Sequence, residues 1–129
     1  MDFQFDETSW PIVVLRWQGR PTDASVTAGL ARLDAFLARK ERFGLIVDSR
    51  GSTALTPEQR GMMLAHMKRN MEENEKYLVQ AFVANDFIAR TLYWGVQLFM
   101  PPPFPSKVFG EFEAARAWVA DVLGASERR

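Results

Sequence analysis

A short apolar run that leads into a polar loop and a helix start constrains this chain more than any other feature. Residues 44–47, with the sequence GLIV, contain no polar side chain, which is typical of a strand buried on both faces of a parallel sheet. The run stops at Asp48, and a polar loop follows over residues 49–55. The next residues, TPEQ at 56–59, predict a helix with threonine as N-cap, proline at its first position and glutamine in a capping box. Strand, loop and helix form half of a βαβ unit, and ligands or partners of open α/β sheets bind at such strand ends.

The rest of the chain alternates between strand-like and helix-like segments. Alternating or unbroken apolar runs predict strands over residues 3–5, 12–17, 76–84 and 106–109. Helices are predicted from Thr22 or Asp23, either of which can be the cap, to about residue 40, and over residues 57–74, 87–100 and 111–123. Strands joined by helix-length connections favour right-handed parallel crossovers, so we predict one α/β domain of order ββαβαβαβα. Its sheet is mostly parallel, has about five strands and carries an antiparallel strand at its amino-terminal edge.

The predicted domain covers residues 1–124, and residues 125–129 are predicted to form a flexible tail. The charges of 16 basic and 16 acidic side chains cancel, which disfavours nucleic acid as a partner. The chain has no cysteine, which excludes disulfides, thiol chemistry and cysteine-based zinc sites. Its first ten residues, MDFQFDETSW, lack the basic and apolar segments of a signal peptide. No apolar run reaches the about 18 residues of a membrane span, so we predict a cytoplasmic protein without a transmembrane segment.

Signals for catalysis and metal binding are weak. His66 is the single histidine of the chain, and without cysteine it has no metal-binding partner of the usual kind. We therefore predict a surface or boundary position for it. Gly51 stands alone, so no glycine-rich loop is present to bind phosphate, and no nucleophile elbow is found. We expect no enzymatic activity, no metal and no cofactor.

The helix predicted over residues 57–74 has a methionine-rich face. Its members are Met63, Leu64, Met67 and Met71, with Met62 beside them. We interpret these side chains as core packing, because methionine fills irregular gaps, and the alternative is an adaptable binding face.

The predicted topology brings the carboxyl ends of the strands to one pole of the domain. Residues 19–23, 48–56 and 84–86 meet there, and three predicted helices begin there. The candidate interaction residues of this polar pole are Arg20, Asp48, Ser49, Arg50, Ser52, Thr53, Thr56 and Asp86. One interpretation is a site that accepts an anion against the helix amino termini. The structural alternative is that these residues cap loops and helices and pair with one another.

The helix predicted over residues 87–100 has more apolar surface than packing on a sheet requires. Its apolar residues nearly encircle the helix axis, so part of this area should remain uncovered. The candidate interaction residues on this apolar helix are Phe87, Arg90, Trp94 and Leu98.

Two hypotheses from different functional classes follow. The first is a non-catalytic regulatory module that binds a protein partner, or a second copy of the chain as a homodimer, through the polar pole or the apolar helix. The second is a carrier or peripheral membrane binder, in which the apolar and methionine-rich helices separate to admit a lipid or another apolar ligand. We favour the first, because exposed apolar patches more often contact proteins.

Several segments of the chain carry a family resemblance when they are taken together. They are GRPTDA after the early strand, LIVDSRG at the central strand, and KYLVQAFVANDFIAR, LFMPPPFPSKVF and FEAARAWV in the carboxyl-terminal half. In order and spacing they resemble the STAS domains, typified by bacterial anti-sigma factor antagonists, and more closely their SpoIIAA-like branch, over residues 12–123. The resemblance implies a small α/β domain without a cofactor that, in the antagonists, acts by protein contact. The SpoIIAA-like branch is similar in fold to the lipid-carrying CRAL-TRIO domains.

The chain departs from the antagonists at their phosphorylation switch, a serine in an Asp-Ser-Ser-Gly-like segment that starts the helix after the central strand. If Asp48 matches the family's strand-end aspartate, the switch serine falls at Pro57, which cannot accept phosphate. The similar segment DSRG at residues 48–51 lies too early in the chain. Ser52, Thr53 and Thr56 remain as candidate phosphoacceptors, because a helix amino terminus tolerates a phosphate group.

Overall fold

The computed structural model describes residues 3–53, 55–85, 102 and 104–127. The strands are β1 (Phe3–Ser9), β2 (Ile12–Gly19), β3 (Phe43–Ser52), β4 (Leu78–Val83) and β5 (Ser106–Phe109). The helices within these ranges are α1 (Asp23–Leu37), α2 (Pro57–Arg69), α3 (Met71–Tyr77) and α4 (Phe112–Glu127). Asp86 and the apolar helix with its candidates Phe87, Arg90, Trp94 and Leu98 lie outside the described residues. Their predicted roles in binding a protein, a second copy or an apolar ligand stay predictions.

The five strands form one sheet whose spatial order follows the chain, β1-β2-β3-β4-β5. β1 runs antiparallel to β2, and the remaining neighbours pair in parallel. The predicted α/β fold with an antiparallel amino-terminal edge is therefore confirmed. β3 lies at the centre of the sheet, as its unbroken apolar run indicates.

Apolar layers cover both faces of the sheet. On one face, Phe43, Leu45 and Val47 of β3 pack in a core that includes residues of α1 and α2. On the other face, Ile46 packs against α4, and Gly44 lies directly under Val119. A β-carbon at position 44 would overlap the side chain of Val119, so the glycine is what lets α4 approach β3.

The predicted starts of α1 and α2 are confirmed in detail. The Thr22 side chain accepts a hydrogen bond from the backbone of Ser25, and the Ser25 side chain accepts one from Thr22. Thr56 and Gln59 form the same reciprocal capping box, with Pro57 in the first turn of α2. Both helices therefore begin where side chains replace the missing intrahelical bonds of their first turn.

Some predicted boundaries were wrong. β3 continues to Ser52, although residues 49–55 were predicted as loop, because Gly51 and Ser52 pair with the end of β2. The predicted helix 57–74 is two helices divided at Asn70, whose backbone leaves the helical region at φ −108° and ψ 29°. Its side-chain amide and its backbone N–H both donate to the carbonyl of His66. α3 then extends to Tyr77 and delays the start of β4, and α4 continues past Leu123 to Glu127.

The methionine-rich face packs largely as predicted. Met62, Met63 and Met67 are partly buried and contact the core beneath α1 and α2. Met71 is the exception, since it is 47% exposed. It belongs to α3, and the break at Asn70 takes it off the face that it was predicted to share.

Gly44→Ala should destabilise the domain, because the new methyl group would be forced into Val119. We expect a loss of about 1–3 kcal/mol in the free energy of unfolding, as is typical of overpacked cores. Gly61→Ala is the matched control, since Gly61 lies in α2 and a β-carbon there would meet nothing within 4 Å. That change should stabilise by about 0.5–1 kcal/mol through helix propensity. Urea denaturation checks both, and equal shifts in the two variants would contradict the packing argument.

Candidate functional site

The carboxyl ends of β2, β3 and β4 lie at the same edge of the sheet because these strands are parallel. Arg16 pairs with Asp48, but the next registered pair is Gln18 with Gly51, so β3 carries one more residue than β2 between the two pairs. Such a bulge re-aims side chains at a sheet edge. An open strand-end groove results, lined by Arg16, Trp17, Gln18, Asp48, Arg50, Gly51 and Asn85.

Asp48 and Arg50 form the centre of the strand-end groove. Nε of Arg50 donates to Oδ1 of Asp48 at 2.9 Å, and Nη2 donates to Oδ2 at 2.9 Å. The backbone N–H of Arg50 also donates to Oδ1, at 3.2 Å. The carboxylate is 8% exposed and the arginine side chain 37%, so the pair is buried on the acid side and open on the basic side. The Arg50 hydrogen bonds hold the pKa of Asp48 below its usual value, although burial acts in the opposite direction.

Arg16 extends the positive side of the strand-end groove. Its Nε lies 4.0 Å from Oδ2 of Asp48, which is close enough for electrostatic attraction and too far for a hydrogen bond. The guanidinium lies over the ring of Phe112, 5.7 Å from the ring centroid, and the side chain is 44% exposed. Within the described part of the chain, Arg16 donates no side-chain hydrogen bond. Arg16 therefore lines the groove with donors that no described residue uses.

Other predicted residues of the polar pole are engaged in local structure. The Ser49 hydroxyl donates to the carbonyl of Val83 at 3.0 Å, which joins the ends of β3 and β4. The Ser52 hydroxyl lies within hydrogen-bond distance of the carbonyls of Ser49 and Thr53, to which it can donate. The Thr56 hydroxyl caps α2 by accepting from the backbone N–H of Gln59. The contacts of these three residues agree with the structural alternative, in which they cap loops and helices and do not bind a ligand.

Arg20 and Thr53 are both exposed and do not line the strand-end groove. The backbone of Thr53 donates to the carbonyl of Gly19, which leaves its hydroxyl at the surface. The assignment of Ser52, Thr53 and Thr56 as phosphoacceptors stays a prediction.

Sequence reasoning missed three residues of the strand-end groove, Arg16, Trp17 and Gln18. Gly51 and Asn85 lie within the ranges predicted for the polar pole but were not named as candidates. Arg16 was detectable, because it is the single charged residue in the apolar stretch of β2 and falls on the same face as Ile12 and Val14. A charge at such a position indicates that the strand has passed the end of its covering helix. Trp17 and Gln18 gave no comparable signal.

Gln59 anchors the adjacent helix starts and is 3% exposed. Its side-chain nitrogen donates to the carbonyl of Pro21 at 3.0 Å and to the carboxylate of Asp23 at 3.1 Å. Its side-chain oxygen accepts from the backbone of Thr56 at 3.0 Å. One amide thus ties the beginning of α2 to the beginning of α1. The capping motif predicted the bond to Thr56, but the two bonds to α1 depend on tertiary contact.

His66 was predicted at a surface or boundary position, and that prediction was wrong. The side chain is 3% exposed, and its Nε2 lies 2.7 Å from Oδ1 of Asp34 on α1. The sequence spacing between α1 and α2 does not reveal this pairing, because it depends on how the two helices pack. The contact joins the helices at a distance from the strand-end groove.

The described residues contain neither a metal-binding cluster nor a membrane-spanning helix. No group of three or more histidine, aspartate or glutamate side chains in these ranges is arranged to hold a metal ion. None of the helices described is both long and apolar enough to cross a membrane.

Comparisons with known proteins point to one family. The family model described as SpoIIAA-like matches residues 12–120. The crystal structure of an uncharacterised protein from Shewanella loihica PV-4, which has a SpoIIAA-like fold, superposes with a TM-score of 0.70 at 13% sequence identity. The match covers 91% of each chain, and at this identity it shows likeness of fold alone. No curated protein matches this sequence.

Asp48→Asn should weaken the domain at neutral pH, because the amide cannot offer Arg50 two charged acceptors. Removing such a pair costs about 1–3 kcal/mol. A carboxyl whose pKa is lowered by folding contributes stability above its unfolded pKa, here about 3.8, and loses that contribution as the pH falls through its folded pKa. The gap between the two proteins should therefore be full at pH 7, begin to narrow as the pH falls below about 4, and close once the pH is below the folded pKa.

Urea titrations between pH 7 and pH 3 measure this gap. Asp6→Asn is the control, because hydrogen bonds from Thr8 lower the pKa of Asp6 too, but Asp6 is exposed and an asparagine oxygen can accept the same bonds. Its effect should be the smaller one. A gap for Asp48→Asn that did not change with pH would contradict the assignment.

Gln59→Glu should keep the acceptor for Thr56 and lose both donations to α1. The new carboxylate would face the Pro21 carbonyl and the Asp23 carboxylate, so we expect a loss of about 2–4 kcal/mol in the free energy of unfolding at pH 7. Glu58→Gln, at the exposed neighbouring position, should change it by less than about 0.5 kcal/mol. Similar losses in both variants, measured by urea denaturation, would show that the link to α1 contributes little.

Proposed function

This chain belongs to the SpoIIAA-like family, and from that premise we propose that it is a non-catalytic, regulatory interaction module whose protein partner docks on the strand-end groove. The observation that carries the proposal is the difference in exposure between the acidic and the basic side chains of the groove. The Asp48 carboxylate is buried and its oxygens are occupied, whereas Arg16 and Arg50 reach the surface. The groove thus presents donors to solvent and keeps its acceptor inside.

This arrangement favours binding over catalysis. A general base must have a free lone pair within reach of a substrate proton, and the Asp48 oxygens already accept three hydrogen bonds from Arg50. The low pKa of Asp48 makes it a weak base. His66, the residue type most used for proton transfer, is buried against Asp34 away from the groove.

The position of the strand-end groove supports docking of a large partner. All of its lining residues except Asn85, which follows β4, come from β2 and β3, two paired strands of the sheet, so most of the surface is held rigidly before binding. Preorganised surfaces bind with a smaller loss of conformational entropy than free loops. The groove is open rather than enclosed, which suits a protein surface better than a small molecule that must be largely buried.

A photo-crosslinking amino acid at position 18 tests the proposal in cells that naturally make the protein. Gln18 is exposed and lines the strand-end groove, so irradiation should yield a discrete adduct whose partner is identified by mass spectrometry. Glu72 on α3 is the control position, because it is exposed and lies before the start of β4, at the opposite end of the sheet. Its adducts should be absent or different. The same adducts at both positions, or none at position 18, would overturn the proposal.

A further inference from the structure

We propose that the strand-end groove contains an oxyanion subsite that takes a carboxylate or phosphate group carried by a side chain of the protein partner. Arg16 is the principal ligand, Arg50 the second, and Asp48 a positioning residue that does not touch the anion. This inference rests on the proposed function and deepens it, since it names the chemistry by which the partner is recognised.

The first argument is charge. Two guanidinium groups, those of Arg16 and Arg50, border the groove beside the single carboxylate of Asp48. One positive charge is therefore left without a counterpart among the side chains that line the groove. Asp6, outside the groove, also attracts Arg16, but it attracts Arg116 as well, so it does not cancel the excess. The whole chain has a formal net charge of zero, so this local excess is not part of a general basic surface. A charge that is unbalanced locally within a balanced protein favours a ligand of the opposite sign.

The second argument is the use of hydrogen-bond donors. Arg50 directs Nε and Nη2 at Asp48, and its Nη1 makes no hydrogen bond within the described part of the chain. Arg16 has no side-chain hydrogen bond within the same ranges. Arginine presents its donors in a planar fork that matches the two oxygens of a carboxylate or phosphate. Arg16 therefore offers a complete fork at this open surface, and Arg50 adds the donors of its Nη1.

The third argument is the way in which the two arginines are held. The bidentate bond to Asp48 fixes the plane of Arg50, and the ring of Phe112 supports the guanidinium of Arg16. A long, flexible side chain loses less entropy on binding when its position is already restricted. Asp48 also lies 4.0 Å from Arg16, so one buried carboxylate orients both cations.

The solvent exposure of the two arginines favours an anionic group on a partner protein over a free anion as the ligand. Arg16 and Arg50 are 44% and 37% exposed, and ion pairs at exposed sites contribute about 0–1 kcal/mol. Even about 4 kcal/mol of binding corresponds to a dissociation constant near 1 mM. A small free ion would therefore saturate the subsite only at millimolar concentrations or above, and occupancy at lower concentrations requires that a larger contact deliver the anion. A protein side chain meets this requirement.

The groove chemistry is tested by NMR titration of the uniformly ¹⁵N-labelled protein with sodium phosphate and, separately, sodium acetate at pH 7. Sodium chloride at matched ionic strength is the control for screening. We expect saturable shifts of the Arg16 and Arg50 Nε–H signals and of the Gln18 and Asn85 side-chain amides. Comparison of phosphate with acetate shows which oxyanion the subsite prefers.

Arg16→Gln should weaken the oxyanion affinity by about tenfold, the equivalent of one charge-assisted hydrogen bond. Arg69→Gln is the matched control, because Arg69 is exposed in the last turn of α2, outside the groove, and its loss should leave the affinity unchanged. Arg16→Lys restores the charge without the fork, and an affinity between those of wild type and Arg16→Gln supports bidentate binding. Arg16 makes no hydrogen bond to Asp48, so its variants should fold, and retained amide dispersion verifies this.

Three outcomes would overturn the subsite. They are the absence of saturable shifts, equal shifts with chloride, and equal affinities of wild type and Arg16→Gln. The photo-crosslink at position 18, repeated in Arg16→Gln, separates this inference from the proposed function. A crosslink that persists undiminished refutes the oxyanion contact and leaves docking at the groove intact. Oxyanion shifts without any crosslink refute docking and show that the arginines bind a free ion.

Discussion

The burial of β3 on both faces is the constraint on which the rest of the structure depends. Its apolar side chains alternate between the layer formed with α1 and α2 and the layer formed with α4. A shift of one residue in register would exchange these faces and place Gly44 and Ile46 in the wrong layer. Polar side chains become tolerable where the helices no longer cover the strand. Asp48 is the first polar side chain of β3, and the groove begins at this residue.

Most of the groove is formed by strand residues, because β3 continues as a strand beyond the end of its apolar run. Gly51 and Ser52 continue to pair with β2 after the bulge, and Ser49 joins the end of β3 to Val83 of β4. These bonds hold the backbone on either side of Arg50. Gln59 fixes the helix starts beside it through three hydrogen bonds. Side chains carried by such a framework keep their geometry better than side chains carried by loops.

The sequence allowed prediction of those features that depend on local chemistry. The capping box at Thr56 was predicted because it requires only residues three positions apart, and Thr22 was predicted as one of two possible caps of α1. The mostly parallel pairing of the sheet and its antiparallel edge followed from apolar runs joined by helix-length segments. The extension of β3 to Ser52 was missed because pairing with β2, and not residue propensity, makes those polar residues a strand.

The candidate site was predictable to a lesser degree. Asp48 and Arg50 were identified because they follow the central strand, but their bidentate geometry depends on the bulge that re-aims them. Arg16 lies far from them in the chain and joins them through strand register alone. The burial of His66 against Asp34 has the same origin, since it needs the packing of α1 on α2. Contacts between elements were the part that sequence pattern could not supply.

Stability alone does not account for a charged pair at this position. Removing a carboxylate from water costs several kcal/mol, and replacing a buried ion pair with apolar side chains is often neutral or stabilising. The face of the sheet that leads up to Asp48 is apolar, with Ile46 preceding it on β3 and Val14 beside Ile46 on β2. A valine or isoleucine at position 48 would continue that surface. The carboxylate instead holds one arginine by two hydrogen bonds and attracts a second, and both arginines reach solvent. The pair is therefore better explained by the orientation of exposed donors than by the free energy of folding.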